Sequence, residues 1–471
     1  MGRLEGGVDM FNRMLEWIKS TILRLMGQET TELTISPKMG NLIELWADMY
    51  EGRKGETALQ LPVSISSEFA RLVVLESEIN ISGSSRGAWI KEQLDPFFHQ
   101  LLEYVEYACA LGGAIFKPYI SGENIVVDVV QADCFFPTAF DSSGRMTGAV
   151  FTEQLIRGNR IYTRAESHEY TKGREIIRNK AFCSGSNAAL GTEVPLSSIP
   201  EWAEISSEAT ISGVDRPLFA YFKIPKANNK DRHSPLGVSV FANAVQSIYD
   251  ANEQYERLMW EYNGGQLAID VASSAIRKAP DGSLSMDKRE QRLYRRSIET
   301  GISNGDFYHA FAPSLRDSSY LSGLDSILKK VEFQCNLAFG TFSDPTSVEK
   351  TATEIKISKQ RSFSAVSNIQ KSLEHAIDDL TYSVDKLATL YHLAPAGTYK
   401  TSYQWHDSIL QDEEAQRILD REDALSGFIP KWRYNAKWRA MTDQEAQTAV
   451  KEAMEETSAK AKSLTFEEDD A

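Results

Sequence analysis

From Thr353 to Ala394 the chain contains neither glycine nor proline. Glycine breaks helices through backbone freedom and proline through its missing N–H and its ring. Their absence permits one helix of about 40 residues, on the order of 60 Å long at about 1.5 Å per residue. Leu373, Ile377, Leu380, Val384, Leu387 and Tyr391 recur by threes and fours within it, the seam of a helix packed along its length. A chain of 471 residues built around such an element divides into about two to four domains.

Two helical patterns precede it. Val238 to Tyr262 places Phe241, Ala244, Val245, Ile248, Tyr255, Leu258, Met259 and Tyr262 on one face and Asp250, Glu253, Glu256, Arg257 and Glu261 on the other. Ser319 to Phe339 has Leu321, Leu324, Ile327, Leu328, Val331, Cys335 and Ala338 on one face, with Phe333 and Leu337 on its back. A second apolar strip belongs to a helix wedged between neighbours, which points to an oligomer. Between the two lie Gly264-Gly265, a short strand at Gln266 to Val271, a turn at Pro280-Asp281-Gly282 and a compact insert reaching Ser318. Gly340 to Thr353 reads as a loop turning at Ser343-Asp344-Pro345.

The N-terminal half is mixed. Met1 to Asp9 reads as an extension, and Met10 to Met26 as an amphipathic helix that packs on a neighbour or lies on a membrane surface. Helices are predicted from Ser36-Pro37 to Met49 and from Arg86 to Leu111, where Gly112-Gly113 stops the second. An antiparallel meander follows: Ala114 to Ile120, Asn124 to Gln131, Thr147 to Ile156, Arg160 to Tyr170 and Glu175 to Phe182. Ser184 to Ile211 is loop-like and Ala220 to Ile224 is one more strand. Beyond the long helix come a strand near Thr398 to Trp405, helices at Glu413 to Leu425, Pro430 to Trp438 and Asp443 to Glu456, and a solvated acidic tail, Phe466 to Asp470. The fold class is α+β.

Composition excludes several roles. With 42% hydrophobic and 25% charged residues the chain folds as a globular protein. No run approaches the roughly 18 apolar residues of a membrane span, and no secretory cleavage signal is present. Cys109, Cys134, Cys183 and Cys335 form no C-x-x-C pair, so neither zinc nor a disulfide framework is expected, in keeping with a reducing cytoplasm. The seven histidines have no metal-ligand spacing. His168 and Glu169, adjacent in a strand, point to opposite faces and are assigned no role. A net charge of −15 argues against coating DNA phosphates, yet suits a wall past which a polyanion slides.

Catalytic signatures are missing. There is no phosphate-binding loop, no G-x-G-x-x-G after a strand and no H-E-x-x-H. Gly301 to Gly305 matches G-x-S-x-G around Ser303, but it follows a charged, helix-like run (Lys288 to Thr300) instead of a strand, so it reads as a flexible turn. No catalytic residue, cofactor or metal is expected. The one sharply basic cluster is Lys288, Arg289, Arg292, Arg295 and Arg296, which as a helix shows Arg289, Arg292 and Arg296 on one side. It is a solvated face balanced by Asp287 and Glu290, a DNA contact at a channel mouth, or a docking surface for an acidic partner.

Two long helices flanking an insert, then a loop and a longer helix, resemble the portal proteins of tailed bacteriophages, in which stem, clip, stem, tunnel loop and spine follow in that order. The words Ala110-Leu111-Gly112-Gly113, Lys117-Pro118-Tyr119, Val130-Gln131-Ala132-Asp133 to Phe136-Pro137, Ser234-Pro235-Leu236-Gly237, Asn263-Gly264-Gly265 and Lys350-Thr351-Ala352-Thr353-Glu354 are similar to a subfamily from siphophages of Gram-positive bacteria. The resemblance runs from about Met10 to Glu456. It implies a wing over 1–237, stem helices over 238–262 and 319–339, a clip over 263–318, a tunnel loop over 340–353, a spine helix and strand over 354–411, and a helical crown with tail over 412–471. It implies a dodecameric ring at one capsid vertex of the virion, assembled in the host cytoplasm, through which double-stranded DNA is packaged and ejected. Its implied partners are the terminase large subunit, head-completion and connector proteins, major capsid and scaffolding proteins, and no membrane. The stem face toward the channel would carry Asp250, Glu253, Arg257 and Glu261, and the tunnel loop Ser343, Asp344, Thr346, Ser347, Glu349 and Lys350. The clip would dock partners through the basic cluster. The alternative is a minor capsid or adaptor protein of the head–tail junction, which would join rings made by others.

Overall fold

The computed structural model describes residues 36–53, 58–75, 77–185, 191–265, 268–272, 294–297, 308–311, 314–345, 352–405, 413–439 and 441–467. The predicted helix at Met10 to Met26, most of the insert and the acidic tail's last residues lie outside them. Two units are defined, Met1–Gln404 and Trp405–Ala471, and each is described by itself.

The first unit opens on α1 (Pro37–Glu51), which Ser36 caps by accepting from the Met39 N–H and Gly52 ends in the left-handed region. Next comes α2 (Leu61–Val74), a helix absent from the sequence-based expectation. Its Ile65, Phe69 and Val73, spaced by four, are buried against the second of two helices, α3 (Ser85–His99) and α4 (Leu101–Leu111). These two replace the single helix predicted over 86–111. The chain leaves helical geometry at Gln100, yet Leu94, Phe97, Leu101, Val105 and Ala108 are buried on both sides of the break. The apolar stripe runs through the joint, so periodicity conceals it.

The predicted meander is divided between two sheets, and a strand over 135–140 joins it that the sequence pattern does not predict. Strands β2 (Gly113–Ser121), β3 (Asn124–Gln131) and β10 (Ala220–Lys223) pair in the order β10-β2-β3. A larger antiparallel sheet runs β4 (Phe135–Phe140), β5 (Met146–Arg157), β6 (Arg160–Thr171), β7 (Arg174–Ser184) and β8 (Thr192–Val194), with β9 (Glu208–Ser212) also on β7. Strands β8 and β9 and two 3-10 turns occupy the stretch predicted as loop over 184–211. Trp202 and Ile199 there are buried against Ala181, so this polar segment is tied down by two apolar side chains.

The word at Gly112-Gly113 and the word ending at Gly237 meet in space. Gly112 has φ +94°, and a Cβ on it would sit 2.7 Å from the Gly237 carbonyl oxygen, while a Cβ on Gly237 would sit 2.1 Å from that of Gly112. Only glycine at both positions allows that approach. The Ile224 N–H donates to the Gly112 carbonyl and the Val240 N–H to that of Cys109.

The long helix predicted from the run without glycine or proline is α7 (Ala352–Leu390), 39 residues long, with Leu373, Ile377, Leu380, Val384 and Leu387 buried along one seam against β2, β10 and α2. It leads to β14 (Tyr399–Trp405), which pairs with β1 (Ser77–Gly83), a strand that the sequence pattern does not predict. Fully buried Arg86 on α3 ties the two ends of this unit. Its guanidinium bonds to the Asp385 carboxylate, the Thr389 hydroxyl and the carbonyls of Asp385 and Ala394.

The second unit contains α8 (Glu413–Ser426), α9 (Lys431–Trp438) and α10 (Asp443–Glu467). Helix α10 outruns its predicted end. Thr442 and Glu445 form a reciprocal capping box at its start: the Thr442 N–H donates to the Glu445 carboxylate and the Glu445 N–H to the Thr442 hydroxyl.

Candidate functional site

The two helical patterns flanking the insert form α5 (Val245–Gly264) and α6 (Asp317–Cys335). The Gln254 side chain donates to the Tyr320 carbonyl at 3.2 Å and Glu261 pairs with Arg316 at 2.8 Å, so the helices run antiparallel. Helix α5 begins seven residues later than predicted. Val238, Val240, Phe241 and Ala244 are buried in a run of turns, which put apolar side chains inside without helical dihedrals. Helix α6 likewise stops at Cys335, where Asn336 adopts φ +64°. Leu337, predicted on the helix's back, is therefore buried beyond the helix end.

The proposed channel-facing residues all lie on α5, and their charges are partly matched. Asp250 accepts from Gln246 at 3.0 Å, Glu253 and Arg257 form an i,i+4 pair, and Arg316 holds the Glu261 carboxyl below its ordinary range by hydrogen bonding. Trp260, 70% exposed, shares the row of Glu253 and Arg257 at helical spacing. The surface is an ion-paired wall with an aromatic projection, less acidic than its sequence implies.

Among the tunnel-loop residues, Ser343 and Asp344 are described and Thr346, Ser347, Glu349 and Lys350 lie outside the described residues. Ser343 is buried. Its hydroxyl and the N–H groups of Gly340, Phe342 and Ser343 all donate to the fully buried carboxylate of Glu332 on α6, at 2.6 to 3.2 Å. The Asp344 N–H donates to Asp325 at 2.8 Å. Residues 340–344 are thus pinned to the helix they follow. Ala352 and Thr353, predicted as the end of the loop, belong to α7.

The insert forms a small sheet in the order β12-β11-β13, from β11 (Ala268–Ala272), β12 (Tyr294–Ser297) and β13 (Tyr308–Phe311). Strand β12 corrects the helix expected over 288–300. Arg295 and Arg296 are consecutive strand residues, opposite Asp270 and Val271 respectively, and take opposite faces. Lys288, Arg289, Arg292 and Ser303 lie outside the described residues.

One buried charge cluster was not expected from the sequence. His168, which its strand position alone gives no role, donates or accepts at 2.7 Å to Glu166 through Nε2 and at 2.7 Å to Glu175 through Nδ1. Glu166 also meets Lys117 at 3.1 Å and Arg164 at 2.7 Å, and Glu175 accepts from the Leu218 N–H at 2.6 Å. A signal was present: Glu166 and His168 are two apart in β6, and Glu175 is two residues from the cross-strand partner of His168, Ile177.

Burial opposes protonation of His168, but hydrogen bonds to Glu166 and Glu175 outweigh it and raise its pKa above 6.5. Only the imidazolium donates from both nitrogens at once. Stability from His168 is therefore fully present below its unfolded value and lost as pH rises through the higher folded value. Glu166, although buried, is held well below 4.5 by Lys117 and His168, so its contribution is lost only as pH falls. Urea denaturation between about pH 6 and about pH 9 should show wild type losing stability relative to His168→Gln, a difference that vanishes at the alkaline end. An unchanged difference would refute the assignment.

Among the described residues no cluster of metal-binding side chains occurs, and no helix is long and apolar enough to cross a membrane. The described elements around the insert are an antiparallel hairpin of α5 and α6, the small sheet β12-β11-β13 and the long helix α7. Over residues 93–461 the chain matches the sequence model of the phage portal protein, SPP1 Gp6-like family, and it belongs to that family. It is accordingly a structural, non-enzymatic component of the phage particle. No curated protein sequence matches it. Of 51 matching chains of solved structures, one from "Neck of native GTA particle computed with C12 symmetry" aligns at TM-score 0.39 and 10% identity, over 88% of this chain and 97% of that one.

Proposed function

We propose that copies of this chain close into a dodecameric ring at one capsid vertex and that double-stranded DNA passes through its centre during packaging and ejection. Membership of the portal family, joined to the α5–α6 hairpin, carries this reading. In the chain the hairpin joins the α+β segment before α5 to the insert with its small sheet, the order that a channel wall with a docking tip requires. Large apolar side chains left exposed on it, Trp260 and Phe333, are supplied with cover when like hairpins stand side by side. The α5 face of Asp250, Glu253, Arg257 and Glu261 turns to the channel, the segment between α6 and α7 narrows it, and the insert receives the terminase large subunit during packaging and connector proteins afterwards. The capsid and scaffolding proteins meet the outer body. The words similar to the Gram-positive siphophage subfamily support a phage of that kind as the source.

Negative-stain microscopy and native mass measurement of the purified chain test the reading. Rings with a central hole, at an integral multiple of 52.8 kDa, are expected. Monomers at every salt concentration, binding instead to a ring made by another protein, would identify an adaptor and overturn it.

A further inference from the structure

The helix α9 and the residue after it read Lys431-Trp432-Arg433-Tyr434-Asn435-Ala436-Lys437-Trp438-Arg439: four cations, three aromatics and no carboxylate, in a chain whose net charge is −15. The structure sorts these residues by side. Lys437 Nζ meets Asp420 on α8 at 2.6 Å, Trp438 Nε1 donates to the same carboxylate at 2.8 Å, and Arg417 donates to the Tyr434 hydroxyl at 3.5 Å. Tyr434, Lys437 and Trp438, spaced i, i+3 and i+4, therefore fix the face of α9 that looks toward α8. Trp432, Ala436 and Arg439 project roughly opposite, with Arg433 and Lys431 at the flanks.

Lys431, Arg433 and Arg439 are exposed, and among the described residues none of the three pairs with a carboxylate. The Arg433 guanidinium lies 5.6 Å from the centroid of the Trp432 ring, which holds a flexible cation against a rigid surface. Unpaired cations on the outer side and both flanks of an eight-residue helix, around a half-buried aromatic and with the inner side ion-paired, make a polyanion contact. A membrane surface requires an apolar face, and here the outer side offers one tryptophan and an alanine.

We infer that the outer side of α9 binds the phosphate backbone of double-stranded DNA without regard to sequence. The inference rests on the portal reading for its choice of polyanion. Each copy meets one to three phosphates, so a single site is weak and salt-sensitive, and a ring of copies multiplies it into a collar that grips the duplex loosely. The collar contrasts with the ion-paired α5 wall: one holds DNA, the other lets it pass.

Binding of a labelled duplex of random sequence to the full-length assembled protein, followed by fluorescence anisotropy over a range of KCl concentrations, tests this. The triple variant Lys431→Ala, Arg433→Ala, Arg439→Ala should weaken binding at least about tenfold at low salt and flatten the plot of log affinity against log salt by about 0.9 for each phosphate no longer neutralised. Lys437→Ala, which loosens α9 from α8 without touching the outer side, should lower thermal stability and leave the salt slope unchanged. Wild-type affinity and slope in the triple variant would overturn the inference. So would loss of binding to vesicles containing phosphatidylserine with duplex binding intact, which would make α9 a membrane contact. Microscopy of the same samples separates the two readings: intact rings with unaltered DNA binding refute the α9 contact alone, and absence of rings in the wild type refutes the portal reading.

Discussion

Arg86→Ala is expected to destabilise the first unit by about 3–5 kcal/mol, the cost of breaking a buried ion pair by removing one partner. The guanidinium is 1% exposed and Asp385 23%. Its Nε donates to Asp385 at 2.8 Å, one terminal nitrogen to the Ala394 carbonyl at 2.9 Å, and the other to the Thr389 hydroxyl at 2.7 Å and the Asp385 carbonyl. Truncation strands the Asp385 carboxylate and the Ala394 carbonyl near the end of α7, while the Asp385 carbonyl keeps the Thr389 hydroxyl at 2.9 Å. It also cuts a tie between segments some 300 residues apart in sequence, beside the β1–β14 pair. Arg86→Lys keeps the charge but not the fork, so it should recover less than half of the loss. Urea unfolding followed by tryptophan fluorescence measures both; a loss below about 1 kcal/mol would show that the network is replaceable.

Glu332→Ala carries the second large effect, about 3 kcal/mol, from leaving the Phe342 and Ser343 N–H groups and the Ser343 hydroxyl without their acceptor inside the protein, while the Gly340 N–H keeps the Ser343 oxygen at 3.1 Å. The effect is local as well as global. Gly340, Phe342 and Ser343 are held by this carboxylate, so their amides should exchange with solvent about a hundredfold faster while amides in the middle of α6 change little. Glu332→Gln retains the volume but points an NH2 group at donors, and should behave nearer to alanine than to glutamate. Equal protection of these amides in variant and wild type would mean that the turn is held by its own backbone.

How much of this was legible in the sequence depends on how far each signal extends. Helices α5, α6 and α7 declare themselves because apolar spacing persists over many turns, which a chance pattern rarely does. The break at Gln100 and the turns over 238–244 do not, since buried apolar residues there keep the spacing while a few dihedrals leave the helix. At 294–297 charge drew attention to helical faces, whereas pairing with β11, some 25 residues upstream, decides the conformation. The side chains with the most hydrogen bonds were invisible for a related reason. Arg86 and Glu332 look like surface charges until folding brings their partners, and in the case of Arg86 those partners are nowhere near in the chain. The His168 cluster lay closer to view, because alternation along β6 and the following hairpin place its members together.

The approach of Gly112 to Gly237 makes two distant positions behave as one. Each backbone oxygen occupies the volume that a methyl group on the other residue would need. A first substitution at either site must push the end of helix α4 away from the segment leading into α5; once they are apart a second at Gly237 meets less of this clash, whereas one at Gly112 stays strained by its φ of +94°. The pair is epistatic by geometry: the end of α4 and the segment leading into α5 lie as close as they do because a methyl group is missing on each side.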